Sequence, residues 1–429
     1  MNNQKYNPRK RQKRQNRQRQ KRQFKRLISS LKSYLSIIIA LIVTVSIAIF
    51  MQVNSIHKLS NVNDAPQQNS ALEKVEKDNS SQPNKLPNIL PPSPSQIPNP
   101  HPEFSRSQPQ LPSLLTYNVK ESHPFYFNSK LQLIVDKIVS LAKSRKLPID
   151  KLSISLINLN SPTCCDYAGY QDQELRYPAS IVKLFWLVML YQQYYDRGLT
   201  PKEIPLEKQK IIAKAIEDSD NEAASQILDQ ITKTESSLKP LPSEQLYQWI
   251  NQRYLVNKFY QRAGYPYLNI SQKTFPISND ITKPIGPDQQ IRQIQGKDLP
   301  PIRNFLSTYA VARLLGEIAQ EQTISPEYSQ EIKQLLKRDL NPSKWQRKPF
   351  NPIAGFLGES LPQKTEFWAK MGWTFNNRND AAIISSPNRE INYILVIFGD
   401  DAAYYQDKRF FPLLSKQVFE TSSLRTDSL

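Results

Sequence analysis

The chain has 429 residues, with 57 Lys and Arg against 38 Asp and Glu, 33 Pro, 10 Gly, 3 His and 2 Cys. Residues 1–32 hold 13 of the basic residues and no acid, which leaves +6 of the +19 for everything that follows and argues against a uniformly basic nucleic-acid binder. His57 and His101 precede any segment able to fold, and His123 stands alone near a domain boundary, so His-dependent serine hydrolysis and His-rich metal sites lack their residues. Cys164 and Cys165 are adjacent, so neither a disulfide framework nor a zinc cluster is available. Lys, carboxylates and hydroxyls must carry any chemistry, and no metal or cofactor is implied.

Residues 1–32 read as a basic cytoplasmic tail. Only Tyr6 and Phe24 offer rings on which bases could stack, so contact with an anionic lipid surface is preferred to nucleic acid as a partner. Ser33 to Met51 carries no charge and is dense in Ile, Val and Leu; at 1.5 Å per residue it spans about 28 Å, the thickness of a bilayer core. A transmembrane helix is predicted over residues 33–53, with the basic flank in the cytoplasm and the rest of the chain outside. A cleaved signal peptide is the rival, but its apolar region is shorter and no small-x-small site follows Met51. Residues 54–115 hold eleven of the prolines, interspersed with Ser, Asn and Gln. They predict a disordered, semi-rigid linker with a reach of up to about 190 Å.

The folded part is predicted over residues 116–429. Residues 129–145 pattern as an amphipathic helix, Ser153–Leu159 as a strand, and Cys165–Gln171 as its hairpin partner. A hydrophobic helix begins near Ser180, and another spans Phe305–Gln320. Three strand-like runs follow at Phe367–Phe375, Ala381–Ser385 and Asn392–Phe398, with turn residues at Asn376–Asp380 and Pro387–Asn388 and a closing helix at Lys408–Phe419. Strands at both ends with helices between predict the α+β class, an antiparallel sheet flanked by helices.

The spacing Ser-x-x-Lys brings an amine to a hydroxyl on one helix face. It occurs at Ser29/Lys32, Ser55/Lys58, Ser140/Lys143, Ser180/Lys183 and Ser236/Lys239. Only Ser180/Lys183 opens a run, Ile181 to Leu190, that is apolar apart from Lys183 itself. A helix so patterned is central, and a Lys within it loses basicity by desolvation, unless it snorkels or pairs with a buried acid. A shift of about three units, roughly 4–5 kcal/mol, would let Lys183 take the Ser180 proton near neutral pH. Burial together with a second nearby cation would supply it.

Ser219-Asp220-Asn221 follows an amphipathic stretch, and Lys370-Met371-Gly372 lies in a strand-like run. Each alone is commonplace, a turn or cap and a solvated strand residue. In this order, with Ser180/Lys183, they resemble the S-x-x-K, S-D-N and K-T-G set of class A β-lactamases and the related penicillin-binding peptidases. The resemblance covers about residues 125–422, and Tyr267-Leu268-Asn269 with Asn279-Asp280 resembles the family's Ω-loop region. It implies a β-lactamase-like fold with an all-helical lobe beside the sheet. Ser180 would be the nucleophile and Lys183 its base or relay. Ser219 would pass the proton to the leaving nitrogen, Asn221 would hold Lys183 and the substrate amide, and Lys370 would draw the substrate carboxylate. The backbone N–H groups of Ser180 and Trp373 would form an oxyanion hole, with Gly372, Thr374 and Asn269 among the substrate-binding residues. The implied substrates are β-lactams or D-Ala-D-Ala cell-wall peptides, and the implied location is the outer face of a bacterial plasma membrane.

The chain departs from the family's pattern at three places. The Ω-loop Glu that activates the deacylating water falls on Tyr265, with no carboxylate between Lys258 and Asn279, so acylation with slow release is expected. Met371 replaces the hydroxyl residue of K-T-G, for which Thr374 is the candidate substitute, and Trp373 adds bulk beside the site. The Ser180-to-Ser219 connection is shorter than usual. The competing readings are a cell-wall-peptide binding module with a degraded site, and an anchoring protein whose basic tail is the working part.

Overall fold

Six strands form one sheet in the order β1-β3-β2-β6-β5-β4: β1 Tyr126–Phe127, β2 Leu152–Asn158, β3 Asp166–Tyr170, β4 Glu366–Thr374, β5 Asn377–Ser385 and β6 Asn392–Gly399. The computed structural model describes residues 115–120, 125–161, 164–296, 298–348 and 350–423. The basic tail, Ser33–Met51, the linker up to residue 114 and His123 lie outside them. Among the described residues no helix is long and apolar enough to cross a membrane. The helices are α1 Ser129–Ser144, α2 Val182–Tyr195, α3 Leu206–Ile216, α4 Asn221–Thr232, α5 Ser243–Arg253, α6 Leu255–Gln261, α7 Gly286–Arg292, α8 Thr308–Ala319, α9 Pro326–Leu336, α10 Pro342–Trp345, α11 Ala402–Gln406 and α12 Phe410–Ser423. The fold is α+β.

The sheet is not wholly antiparallel. The two-residue β1 pairs parallel with β3, while the β2/β3, β2/β6, β5/β6 and β4/β5 pairs are antiparallel. The helix predicted over Phe305–Gln320 begins later, at Thr308, where the Ser307 side chain accepts from Ala310 N; Phe305 and Leu306 instead make single bridges to Asn269 and Arg176. The stretch Asn376–Asp380, predicted as a turn, is mostly strand, since β5 begins at Asn377. From Asn377 to Asp380 its polar side chains are buried rather than solvated.

Alternation along the strands separates two cores. One face of the sheet, with Ala381, Ile383, Ile394, Val396 and Phe398, packs on α2, α8 and the helical lobe. The other, with Phe367, Ala369, Ala382, Ile384, Leu395 and Ile397, packs on α1 and α12. Helix α2 lies inside the first core. Every residue from Ile181 to Leu190 is at most 3 % exposed, and the backbone around it is tied down by Trp186 Nε1–H donating to Ile270 O (2.8 Å) and Tyr260 O–H donating to Phe185 O (2.6 Å). Cys164 and Cys165 are bonded to each other.

Candidate active site

Ser180 stands in a single 3₁₀ turn, Ala179–Ile181, that leads into α2, and it is half-buried. The preceding Ala179 has φ +48°, a left-handed conformation that a Cβ-bearing residue adopts only at a cost of about 1–3 kcal/mol. Two neighbouring strands hold this turn in place. Asn377 and Asn379 of β5 both donate through Nδ2 to Tyr177 O, at 3.1 and 2.8 Å. Gly372 of β4 approaches so closely that a Cβ there would lie 2.6 Å from Pro178 O and 2.8 Å from Ser180 N. Only glycine lets the strand backbone reach the serine turn.

Lys183, one turn beyond Ser180, is 1 % exposed. Its Nζ donates to Asn221 Oδ1 (2.7 Å), to Ser219 O, to Asp220 O (3.3 Å) and, at 3.5 Å, to Ser219 Oγ. Lys370 is equally buried, and its Nζ donates to Ser219 Oγ (2.8 Å) and Met371 O (3.3 Å). The hydroxyl of Ser219 is therefore held between two buried amines. Ser219 has φ +57° in the break between α3 and α4, and Asp220 caps α4 by accepting from Ala223 N (2.7 Å). That break separates α3 from α4 and directs Ser219 and Asn221 at Lys183.

Burial lowers Lys183 to a pKa of about 7, against the opposing field of Asp220. Lys370 is also held well below its ordinary value, by burial first and then by the cations Lys183 and Arg338, with Asp380 in opposition. The expectation that a second cation pushes Lys183 toward neutrality is reversed: desolvation accounts for Lys183, and like-charge repulsion bears on Lys370. The neutral form of Lys183 can accept a proton from a hydroxyl, and such chemistry needs no imidazole.

Other positions differ from their sequence assignment. Asn221 Nδ2 donates to Pro276 O (2.8 Å), so part of the amide is engaged by the loop that crosses the site. Asn269 is 5 % exposed and its amide is used internally: Nδ2 donates to Arg303 O, while Oδ1 accepts from Asn257 Nδ2 and Ser271 Oγ. It braces the loop instead of facing a substrate. Thr374 donates to Asn377 Oδ1 (2.8 Å) and accepts from Asn376 N, closing the β4–β5 turn, so its hydroxyl does not stand in for the one missing at Met371. Trp373 points to the opposite face of β4 from Lys370 and Gly372, where it stacks on Tyr405 at 5.6 Å, and only its backbone is offered to the site. Tyr265 is buried, donates to Glu317 Oε2 (2.6 Å), and is held well above an ordinary phenol by burial and by that carboxylate. It is no replacement for the missing base.

Sequence reasoning missed Arg338, Asn377 and Asn379. Arg338 is anchored by its N–H on Phe367 O (2.8 Å) and by Nη2 on Ile216 O (3.1 Å), which sets its charge beside Lys370. No short motif announces it. The two asparagines read as turn residues, and only their register against the Tyr177 carbonyl shows their purpose.

A helix-buried Ser-x-x-Lys, a Ser-Asp-Asn break and a strand Lys facing one another define the active-site serine hydrolases of the penicillin-recognising class. The model of the Beta-lactamase2 family, described as the Beta-lactamase enzyme family, matches residues 134–422, and the chain belongs to that family. No curated protein matches the chain. Among solved structures it is similar to a β-lactamase from Sphaerobacter thermophilus, at 14% identity and a TM-score of 0.45, over 68% of this chain and 97% of that one. A class A β-lactamase from Mycobacterium abscessus is similar at 14% identity and 0.44, over 67% and 98%. A point mutant of PBP-A, in an acyl-enzyme complex with penicillin G, is similar at 17% identity and 0.44, over 70% and 98%.

Proposed function

We propose that this serine hydrolase acts through a Ser180 acyl-enzyme on β-lactams and on acyl-D-Ala-D-Ala ends of cell-wall peptides, and that it releases the acyl group slowly. Neutral Lys183 accepts the Ser180 proton as the oxygen attacks the amide carbonyl. The Ser219 hydroxyl, shared between the two lysines, carries a proton to the leaving nitrogen as the C–N bond breaks. The N–H groups of Ser180 and Trp373 receive the oxyanion, a contribution of about 2.7–4 kcal/mol for each such donor. Lys370 attracts the substrate carboxylate. The observation that carries this reading is the Ser219 hydroxyl within hydrogen-bonding reach of two amines, each 1 % exposed.

Slow release is supported by Tyr265, buried and bonded to Glu317 at the position where the resemblance calls for the deacylating Glu. The apolar segment and the proline-rich linker support a membrane tether that holds the domain outside the plasma membrane within reach of a cell wall. Mass spectrometry of the protein incubated with penicillin tests the reading. A persistent adduct on Ser180, absent from Ser180→Ala, is expected. Nitrocefin turnover without any accumulating adduct would contradict slow release. Unchanged biological activity of Ser180→Ala would favour a binding module.

A further inference from the structure

A cavity of about 610 Å³ is lined by the α3–α4 break, the segment that leaves α9, helix α10 and the start of β4. Small-ligand sites occupy roughly 300–1,000 Å³. Five basic and four acidic side chains line this one, yet among the described residues none of the nine forms an ion pair. Glu217 and Asp218 are exposed on the wall formed by the break, and Lys344 and Lys364 are exposed on the walls formed by α10 and the approach to β4. Between them lie the buried apolar side chains of Leu340, Trp345 and Ile353. Arg338 is held by carbonyls alone: Nη1 donates to Leu335 O (3.1 Å) and Lys337 O (3.3 Å), and Nη2 to Ile216 O (3.1 Å). Its Nε–H and the hydroxyl of Thr365, a residue 6 % exposed, are buried without a hydrogen-bond partner. Such groups are rare because each costs its desolvation, and two of them on residues lining one cavity mark a place for an acceptor from outside the fold.

We propose that this cavity is a second binding site, for a zwitterionic amino acid or short peptide with an apolar side chain. The ligand carboxylate takes Arg338 and Thr365, which have donors to spare, and the lysine amines of the rim add to the attraction. The ligand ammonium group takes the carboxylates of Glu217 and Asp218, and the apolar side chain faces Leu340 and Trp345. A purely anionic ligand would set its charge against the acidic wall, and a purely cationic one would set its charge against the lysines. Glu217 and Asp218 run directly into Ser219, so an occupant touches the segment that carries the hydroxyl held between Lys183 and Lys370.

Trp345 reports on the site, because its indole N–H donates to Leu340 O (3.1 Å) and both residues line the cavity. The test follows the Trp345 indole resonance of the full-length protein, labelled with ¹⁵N at tryptophan and assigned by Trp345→Phe, as L-leucylglycine, its N-acetyl form or its amide is added. Leucylglycine should shift the resonance at millimolar concentration, and the two blocked forms, each short of one charge, should bind about 3- to 10-fold more weakly. Thr365→Val should weaken leucylglycine binding about 3- to 10-fold with no loss of thermal stability, since the hydroxyl it removes has no partner in the fold. Glu217→Gln should weaken leucylglycine binding and leave that of the N-acetyl form unchanged. No shift with any of the three compounds overturns the proposal. So does a blocked form that binds as tightly as leucylglycine, or leucylglycine binding that either variant leaves unchanged. The readout needs no acylation, so its failure is distinct from a failure of the reading at Ser180.

Discussion

At the scale of single residues, the chemistry turns on how an ordinary amine comes to be neutral. Lys183 is surrounded by the side chains of its own apolar helix and by the Ser219–Asn221 break, so its charge is poorly solvated and its pKa falls to about 7. The sign of the pH dependence follows. Below pH 7 Lys183 is protonated and cannot take the Ser180 proton, so the acylation rate should fall about tenfold per pH unit toward acid and level off above pH 7. Stopped-flow acylation by nitrocefin across pH 5–9 measures this. Lys183→Arg, which keeps a charge that cannot be lost, should slow acylation about 10²- to 10⁴-fold at every pH. A lysine alone among nine apolar residues is conspicuous in the sequence, and the reading of Lys183 needed only helical spacing. Arg338 was illegible because its influence comes from through-space charge on Lys370, across 32 positions with no pattern to connect them.

Elements position these groups through backbone contacts that composition does not disclose. Gly372 is read from K-x-G, but its reason is the Pro178–Ser180 turn against which it lies. Gly372→Ala would place a methyl against two backbone atoms that cannot move aside, and should cost about 1–3 kcal/mol of stability and abolish acylation. Thermal denaturation together with penicillin labelling checks both. Asn379→Ala frees the Tyr177 carbonyl of its shorter clamp and should slow acylation about tenfold to a hundredfold by letting the serine turn shift. Strand β5 shows why the turn at Asn376–Asp380 was misread. Asn and Asp favour turns when their side chains bond locally. Here Arg378 bonds Gly355 O and Tyr404 O, and Asp380 accepts from Leu357 N, all distant in sequence. The left-handed conformations of Ser219 and Ala179 were equally hidden, since neither residue is a glycine.

Over the whole molecule, alternating and helical hydrophobic patterns were enough to read the α+β class, because β2, β6 and α2 bury the apolar residues their patterns announce. The helical lobe was less legible: its order depends on buried polar groups such as Arg253, which donates to Asp229 and Asp288, and Asn257, which holds Asn269. The entry of the chain into the domain is fixed the same way. Tyr117 is 1 % exposed, packs against Phe259, Tyr260 and Tyr265, and donates to buried Glu317 (2.7 Å). Tyr117→Ala should lower stability by about 3–5 kcal/mol, a Tm fall of about 5–10 °C, with the acylation rate of the folded protein unchanged. Calorimetry and nitrocefin kinetics on one preparation separate these effects.

The protonation of Lys183 can be observed without substrate. Lysine labelled with ¹³C at Cε, followed by NMR from pH 5 to 10 and assigned by the Lys183→Arg variant, should show one resonance that titrates near pH 7. A Lys183 resonance still fully protonated at pH 9 would contradict its role as the base that activates Ser180.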